Sequence, residues 1–157
     1  MVKIALELNA NLENLVHLEP ADDSFVWYLK VKCGGCGEVN DNWVSVELES
    51  RQDIPGSRGD ANLVIKCKLC SRTNTLDIIT DSRKAYTTSE KSQKIIAFDC
   101  RGLELVDFDP RDGWVAKTEE GKVFDEVDLT EKEWTDYDEK KQQTVGVYEV
   151  KWSFKKL

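Results

Sequence analysis

Histidine is almost absent from this chain of 157 residues, in which His17 is the only one. A Ser-His-Asp or Cys-His catalytic site would need that residue, which lies far along the sequence from every cysteine. His17 stands in the stretch LVHLEP, near the expected end of a strand, where an ordinary partly buried or surface side chain is the simplest interpretation. The sequence therefore predicts no catalytic site of these types.

Long apolar runs are absent as well. No stretch approaches 18 consecutive apolar residues, so no segment is predicted to cross a membrane as a helix. The first stretch, MVKIALELNANLE, alternates charged with apolar residues and lacks the unbroken apolar core of a signal peptide. We therefore expect an intracellular, cytoplasmic protein without a membrane partner.

Positive charge is scarce in one part of the chain. The formal net charge is −8, and residues 104–139 alone carry 14 acidic and 4 basic side chains. Such an acidic region repels phosphate backbones, which argues against a nucleic-acid partner. A solvated surface is its simplest interpretation.

Helix signals are few, and alternation of apolar with polar residues dominates instead. Val2, Ile4, Leu6 and Leu8 fall on one face of a predicted strand, and similar short segments recur towards the C-terminus. Many short strands separated by turn signals predict an all-β fold, either a sandwich or a distorted barrel. The composition is 40% hydrophobic and 33% charged, and no linker divides the chain, so we expect a single domain over residues 1–157.

Two segments near the C-terminus carry more specific expectations. The stretch DLTEKEWTDYDEKKQ is predicted to form one or two helical turns, with Thr130 and Glu133 spaced as a capping box. Trp134 and Tyr137 would then both pack onto the core, and an aromatic patch with an acidic rim for a partner is the alternative. The last predicted strand has four apolar or aromatic side chains on one face: Tyr148, Val150, Trp152 and Phe154.

Four of the five cysteines form two similar motifs. VKCGGCG contains Cys33 and Cys36, and IKCKLCS contains Cys67 and Cys70, with 30 residues between the two pairs. Four thiolates are the soft ligands that tetrahedral zinc prefers, and a gap of two residues lets both sulfurs of a pair converge on one ion. The sequence therefore predicts a structural zinc site built from two Cys-x-x-Cys knuckles, with one Zn2+ per chain.

The residues around the cysteines suit such a site. Each knuckle follows a predicted strand, so the backbone amides of its turn are expected to face the first sulfur and stabilise its negative charge. Glycine accepts the positive φ of such turns, but the second knuckle has none, so Lys68 or Ser71 is expected to adopt a less favourable geometry. Four thiolates on one Zn2+ leave a net charge of −2, which nearby cations would offset: Lys32, Lys66, Lys68 and Arg72.

Other uses of the four cysteines fit less well. A redox Cys-x-x-Cys opens a helix, for which the glycine-rich CGGCG is a poor start. Two disulfides would suit a secreted protein, and no secretion signal is visible. Catalytic zinc is disfavoured because four protein ligands leave no open position for water. An iron–sulfur cluster uses the same ligands and stays an alternative.

Cys100, the fifth cysteine, ends an apolar stretch and is interpreted as a small buried hydrophobic residue. The alternative is a reactive thiol activated by Arg101. Methionine-R-sulfoxide reductases look similar, since they combine a β-fold and two Cys-x-x-Cys pairs with a separate catalytic cysteine. The stretch DCRGLE, however, lacks the asparagine and the neighbouring histidine of those enzymes.

Three stretches occur in this order: CGGCG…CKLCSRTN, FDCRGLELVDFDP and EWTDYDEKKQQTVGVYEV. Together they resemble the eukaryotic family of CXXC-motif-containing zinc-binding proteins, and the likeness covers essentially the whole chain. The resemblance implies a single-domain, β-rich zinc protein with no established enzymatic activity. It also implies the zinc ligands, which correspond to Cys33, Cys36, Cys67 and Cys70.

These observations predict a non-catalytic zinc-binding protein that serves as an interaction or adaptor module linked to metal handling. We expect a protein partner and a monomeric chain. Two alternatives stay open, namely a thiol oxidoreductase that uses Cys100 and a metal-transfer protein whose zinc is labile.

Overall fold

Fourteen β-strands form the structure, a computed structural model that describes residues 2–157. No helix occurs in that range, and hence none long and apolar enough to cross a membrane. The prediction of an all-β fold is confirmed. The strands are β1 (Val2–Glu13), β2 (His17–Pro20), β3 (Trp27–Cys33), β4 (Val44–Val46), β5 (Gln52–Asp53), β6 (Asp60–Ala61), β7 (Leu63–Lys66), β8 (Thr73–Ile78), β9 (Gln93–Arg101), β10 (Leu103–Asp109), β11 (Trp114–Lys117), β12 (Val123–Val127), β13 (Trp134–Asp138) and β14 (Gln143–Lys156).

The strands assemble into antiparallel sheets that curl around a common core. The largest sheet has the order β13-β14-β1-β9-β8-β7, with β7 at one edge. Two three-stranded sheets have the orders β10-β3-β4 and β12-β11-β2, and β5 pairs with β6. Register shifts interrupt the pairing of β1 with both of its neighbours and of β3 with β10. Such bulges bend strands and increase their twist, which lets the sheets curl.

Alternation along β3 explains how the first knuckle reaches the interior. Trp27, Leu29 and Val31 are buried, whereas the residues between them are only partly buried. Side chains of a strand alternate between its two faces, so Cys33 falls on the same inner face as these three residues. The pattern that builds the core therefore also places the first cysteine at its boundary.

The predicted helical turns in DLTEKEWTDYDEKKQ are wrong. Trp134–Asp138 form β13, which pairs with the much longer β14 as a hairpin. Thr130 does not cap a helix, because its backbone amide donates to Oδ1 of Asp128 (2.9 Å) in a local turn. Trp134 packs against the core as expected, but Tyr137 is 48% exposed. Pairing with a distant strand outweighs the weak local helix signal here.

The expected single face of the last strand holds for Val150, Trp152 and Phe154 but not for Tyr148, because a bulge at Glu149 interrupts it. Glu149 has a positive φ of 52°, and the register of β14 against β1 shifts at this point. Val147 is buried before the bulge and Val150 after it, so the inward positions change parity. Tyr148 consequently does not share the face of Val150, and its hydroxyl donates to the Glu13 carboxylate (2.9 Å).

Replacing Tyr86 by phenylalanine should lower the free energy of unfolding by about 1–3 kcal/mol. The fully buried Tyr86 hydroxyl accepts a hydrogen bond from the amide of Ala10 (3.1 Å), which lies at the same bulge on β1. It also lies 2.6 Å from the carbonyl oxygen of Lys91, so phenylalanine would leave buried polar groups unpaired. Urea denaturation followed by circular dichroism measures the change.

Tyr137→Phe is the control, because it removes an exposed hydroxyl and should stay within about 0.5 kcal/mol of the natural protein. Equal effects of the two substitutions would contradict the prediction.

Candidate metal centre

The two Cys-x-x-Cys motifs close the ends of strands from different sheets. Cys33 is the last residue of β3, and Cys67 directly follows β7. In both knuckles the first cysteine is buried and the second is exposed, Cys36 and Cys70 being the exposed pair. The site therefore has an inner side anchored on the core and an outer side open to solvent.

Both knuckles use the same backbone turn. The amide of Gly37 donates to the carbonyl of Cys33 (2.8 Å), and the amide of Ser71 donates to the carbonyl of Cys67 (2.9 Å). Gly37 and Ser71 occupy equivalent positions, with φ of 82° and 65°. The less favourable geometry expected at Lys68 or Ser71 is thus found at Ser71, which adopts a conformation that glycine takes more readily.

The four sulfurs of the knuckles converge on one point. Sγ of Cys33 lies 3.7 Å from Sγ of Cys70, and Sγ of Cys36 lies 3.5 Å from Sγ of Cys67. All four lie within 4.8 Å of one another. A tetrahedral Zn2+ with Zn–S bonds of about 2.3 Å separates its sulfurs by roughly 3.8 Å. The donor set and its spacing therefore fit one zinc ion.

Donors around the two inner sulfurs stabilise their thiolate forms. A hydrogen bond from the Asn74 side chain, followed by the backbone amides of Cys36 and Gly35, lowers the pKa of Cys33 to about 6. The backbone amides of Cys70 and Leu69 lower the pKa of Cys67 in the same way. Backbone amides thus face the first sulfur of each knuckle, as the sequence predicted.

The pKa of Cys36 is raised instead, because neighbouring thiolates at such short distances disfavour a further negative charge. The backbone amide of Glu38 lowers its pKa, but partial desolvation of the sulfur and hydrogen bonding to the other three cysteines outweigh that effect and raise the pKa to about 12. Four thiols held this close resist complete deprotonation unless a cation shares the site. This chemistry favours a bound metal ion over four free thiolates.

The cations expected to offset the negative charge take different positions. Lys32, Lys66 and Lys68 line a groove beside Cys33 and Cys67. Lys32 also forms an ion pair with Glu104 (3.1 Å).

Arg72 lies against the first knuckle, although it follows the second in sequence. A Cβ atom at Gly35 would lie only 3.0 Å from Nη1 of Arg72, so the guanidinium group of one knuckle lies against the turn of the other. Arg72 is thus the cation that connects the two halves of the site.

Neither Cys100 nor His17 belongs to this cluster. Cys100 lies on β9, is 1% exposed, and has a pKa raised to about 12 by burial and by the negative charge of Asp99. His17 begins β2 and is exposed. The interpretation of Cys100 as a small core residue agrees with its burial in the central cluster of apolar side chains.

Sequence reasoning missed Asn74 and Gly102 next to the site. Asn74 is buried on β8, and Gly102 follows β9 and accepts a hydrogen bond from the amide of Gly34 (2.8 Å). The only local signal for Asn74 was a polar residue at an inward position of a strand. Nothing in the stretch CRGLE indicated that its glycine would contact the first knuckle.

Comparison with known proteins assigns the family. The family model described as "CXXC motif containing zinc binding protein, eukaryotic" matches residues 5–155. The chain belongs to this family. The resemblance seen in the sequence is thereby confirmed, and the family is described by zinc binding rather than by an enzymatic activity.

Similar proteins and solved structures match the chain over nearly its full length. The mouse CXXC motif containing zinc binding protein is 49% identical, with 99% of each chain covered. UPF0587 protein F46B6.12 of Caenorhabditis elegans is 52% identical over 96% of this chain and 93% of its own. The crystal structure of C1orf123 superposes with a TM-score of 0.92 at 47% identity, covering 99% of both chains. A hypothetical protein from Plasmodium falciparum, at 27% identity, reaches 0.88 over 99% of this chain and 100% of its own.

The zinc-binding character of the CXXC family and the cysteine cluster point to the same cofactor. Within residues 2–157, the one group of three or more cysteine, histidine or acidic side chains close enough to hold a metal ion is that of the four cysteines. The prediction of a single Zn2+ per chain is confirmed on this basis.

Proposed function

We propose that this CXXC-family chain is a non-catalytic, single-domain zinc protein, with its Zn2+ held by Cys33, Cys36, Cys67 and Cys70. The observation that carries the proposal is that the knuckles end strands of two different sheets. Cys33 ends β3 of the β10-β3-β4 sheet, and Cys67 follows β7 at the edge of the six-stranded sheet. Ligation of one ion by both knuckles would tie these sheets together, which is how a structural zinc stabilises a fold.

The arrangement gives little support to an enzyme. Four cysteine ligands fill the coordination sphere of zinc and leave no position for a water or substrate. The thiol of Cys100 is buried and its pKa is raised, whereas a nucleophilic cysteine needs access and a lowered pKa. Cytoplasmic location, a monomeric state and the lack of nucleic-acid and membrane partners stay predictions from the sequence.

Exposed apolar side chains beside the knuckles support an adaptor role for this zinc protein. Leu69, inside the second knuckle, is 67% exposed, and Val39, just after the first, is 41% exposed. Single exposed apolar residues are ordinary on a protein surface. Two of them, one at each rigid metal-bound knuckle, suit a contact with another protein. Three lysines and two acidic residues, Glu38 and Asp41, line the groove, and this small excess of positive charge would favour a partner with acidic side chains there.

Leu69→Asp tests the adaptor role. Zinc-loaded natural protein and variant are compared in cross-linking and affinity capture from cell extract, with identification of the captured proteins. We expect a partner that Leu69→Asp loses and that Val123→Asp retains. Val123 is the control because it is also an exposed apolar residue but lies on β12, away from the knuckles. Identical capture by all three proteins would contradict a contact at the knuckles.

Metal transfer is the second candidate function, favoured by the exposure of Cys36 and Cys70. Ligands that solvent reaches can be exchanged by an incoming thiol or chelator, whereas the buried Cys33 and Cys67 are anchored by backbone amides. Retention of zinc against a chelator for hours supports the structural role. Loss within minutes, without unfolding, supports metal transfer.

Alkylation should modify the exposed cysteines of the site before the buried ones. When zinc-loaded protein is treated with iodoacetamide at neutral pH, peptide mass spectrometry should find Cys36 and Cys70 modified before Cys33 and Cys67. Cys100 should stay unmodified until the protein unfolds, because it is buried and its pKa is raised to about 12. Early modification of Cys100 in folded protein would contradict this order and favour the oxidoreductase alternative.

A further inference from the structure

Asn74 lies between the two knuckles, yet it is not one of the metal-ligand side chains. It is the second residue of β8 and pairs with Ile65 of β7, two positions before Cys67. Its side chain is 2% exposed and lines the same groove as Cys33 and Cys67. The Asn74 side chain is also the largest cause that lowers the pKa of Cys33, which is consistent with its amide N–H facing that sulfur across the groove. Asn74 thus connects the strand below the second knuckle with the inner sulfur of the first.

The other end of this amide is unusual. Oδ1 of Asn74 is buried, and no hydrogen-bond partner for it is found among the described residues. A buried acceptor without a partner costs free energy, and most buried amides avoid that cost. An apolar side chain of similar size would avoid it here. The asparagine is therefore explained by what its donor end does, which is to contact the Cys33 sulfur.

Gly102 provides the space that this amide requires. A Cβ atom at residue 102 would collide with Oδ1 of Asn74 and would lie 3.2 Å from Nε of Arg72. Gly102 also has a positive φ of 83°, and its carbonyl accepts the amide of Gly34 in the first knuckle (2.8 Å). Residues from β8, from the β9–β10 turn and from both knuckles therefore meet around one buried amide.

We propose that Asn74 is a positioning residue of the metal centre: its amide fixes the inner sulfur of Cys33 for ligation, and Gly102 is glycine because that amide needs the space. The inference rests on the proposed function, in which Cys33 is a zinc ligand. A hydrogen bond to a metal-bound thiolate orients the sulfur and withdraws part of its negative charge. Groups that orient ligands in this way typically contribute about 10–100-fold to metal affinity.

Asn74→Leu removes the donor and keeps the volume, and Asn62→Leu is its matched control. Asn62 is also 2% exposed, but its amide nitrogen donates to the carbonyls of the 47–50 loop, not to a cysteine. Zinc affinity is measured by competition with a chromophoric chelator. We expect Asn74→Leu to weaken zinc binding by about 10–100-fold, with Asn62→Leu much closer to the natural protein even where it lowers the melting temperature.

A spectroscopic readout separates positioning from general stability. Substitution of Co2+ for zinc gives a sulfur-to-metal charge-transfer band whose energy depends on hydrogen bonding to the sulfurs. We expect Asn74→Leu to move this band to lower energy, because the Cys33 sulfur becomes a stronger electron donor, and Asn62→Leu to leave it unchanged. Asn74→Ala, which also lacks the amide donor, should shift it in the same direction. If Asn74→Leu fails to fold, Asn74→Ala decides the question.

Gly102→Ala tests the second half of the inference. The added methyl group should displace the Asn74 amide and reproduce the band shift of Asn74→Leu. In the double variant with Asn74→Ala there is no amide to displace, so Gly102→Ala should cause little further shift. A band and an affinity that match those of Asn62→Leu would overturn the role of Asn74. Retention of zinc by Cys33→Ser would instead overturn the proposed function, so the two failures are distinguishable.

Discussion

Cys33→Ser is expected to release zinc and to remove most of the free energy of unfolding. Structural zinc contributes an apparent binding free energy of about 10–16 kcal/mol in zinc-finger peptides, which is comparable to the whole stability of an ordinary domain, about 5–15 kcal/mol. The site joins the end of β3 to the end of β7, so its loss releases strand ends in two sheets. Metal analysis should fall from about one zinc per chain towards zero, and the cooperative thermal transition should shift far down or vanish.

Cys70→Ser distinguishes metal loss from lost packing. Cys70 is exposed, so its sulfur contributes little buried area, whereas Cys33 is buried. If zinc carries the stability, both substitutions should have similarly large effects. Cys100→Ala is the control, since it alters a buried cysteine outside the cluster and should leave the zinc content unchanged. A folded, metal-free Cys70→Ser protein with a normal melting temperature would contradict a structural role for zinc.

Trp27→Ala is expected to cost about 3–5 kcal/mol of unfolding free energy. Trp27 is 2% exposed, and its ring centroid lies 4.7–6.3 Å from the centroids of four other aromatic rings. Those rings belong to Phe25, Phe98, Phe108 and Trp114. Alanine would leave a cavity that these rigid rings cannot fill. Urea denaturation followed by far-ultraviolet circular dichroism measures the loss.

Trp43→Ala provides the matched control for that prediction. Trp43 is only partly buried, and its ring carries the ammonium group of Lys30 at 5.1 Å. An exposed cation–π contact of this kind contributes about 0.5–1 kcal/mol, so the loss should be well below that of Trp27→Ala. Both variants should keep one zinc per chain. A larger effect at Trp43 would mean that the aromatic cluster around Trp27 is not the main support of the core.

The sequence was sufficient to predict features that depend on short spacings. The two-residue gaps within Cys33–Cys36 and Cys67–Cys70 indicated one shared ion, because a tight turn brings both sulfurs of a pair together wherever the strands lie. Alternation along β1 indicated that Val2, Ile4, Leu6 and Leu8 share one face, since strand geometry repeats every two residues, and Leu6 and Leu8 are buried. The missing glycine of the second knuckle likewise pointed to strain, which is found at Ser71.

Features that depend on a distant strand were not predictable in this way. Trp134–Asp138 carries a weak helical pattern, and only its pairing with β14 makes it a strand. The bulge at Glu149 reverses the inward face of β14 because its register against β1 shifts there.

Local spacing and side-chain type were enough to predict the all-β class, the zinc chemistry and the four cysteines. The tertiary structure alone decided which sheets the zinc site joins, which sulfurs face the solvent, and that Asn74 and Gly102 meet at the first knuckle. The physical reason is that these contacts join residues far apart in the chain, and packing and hydrogen bonding establish them only when the sheets come together.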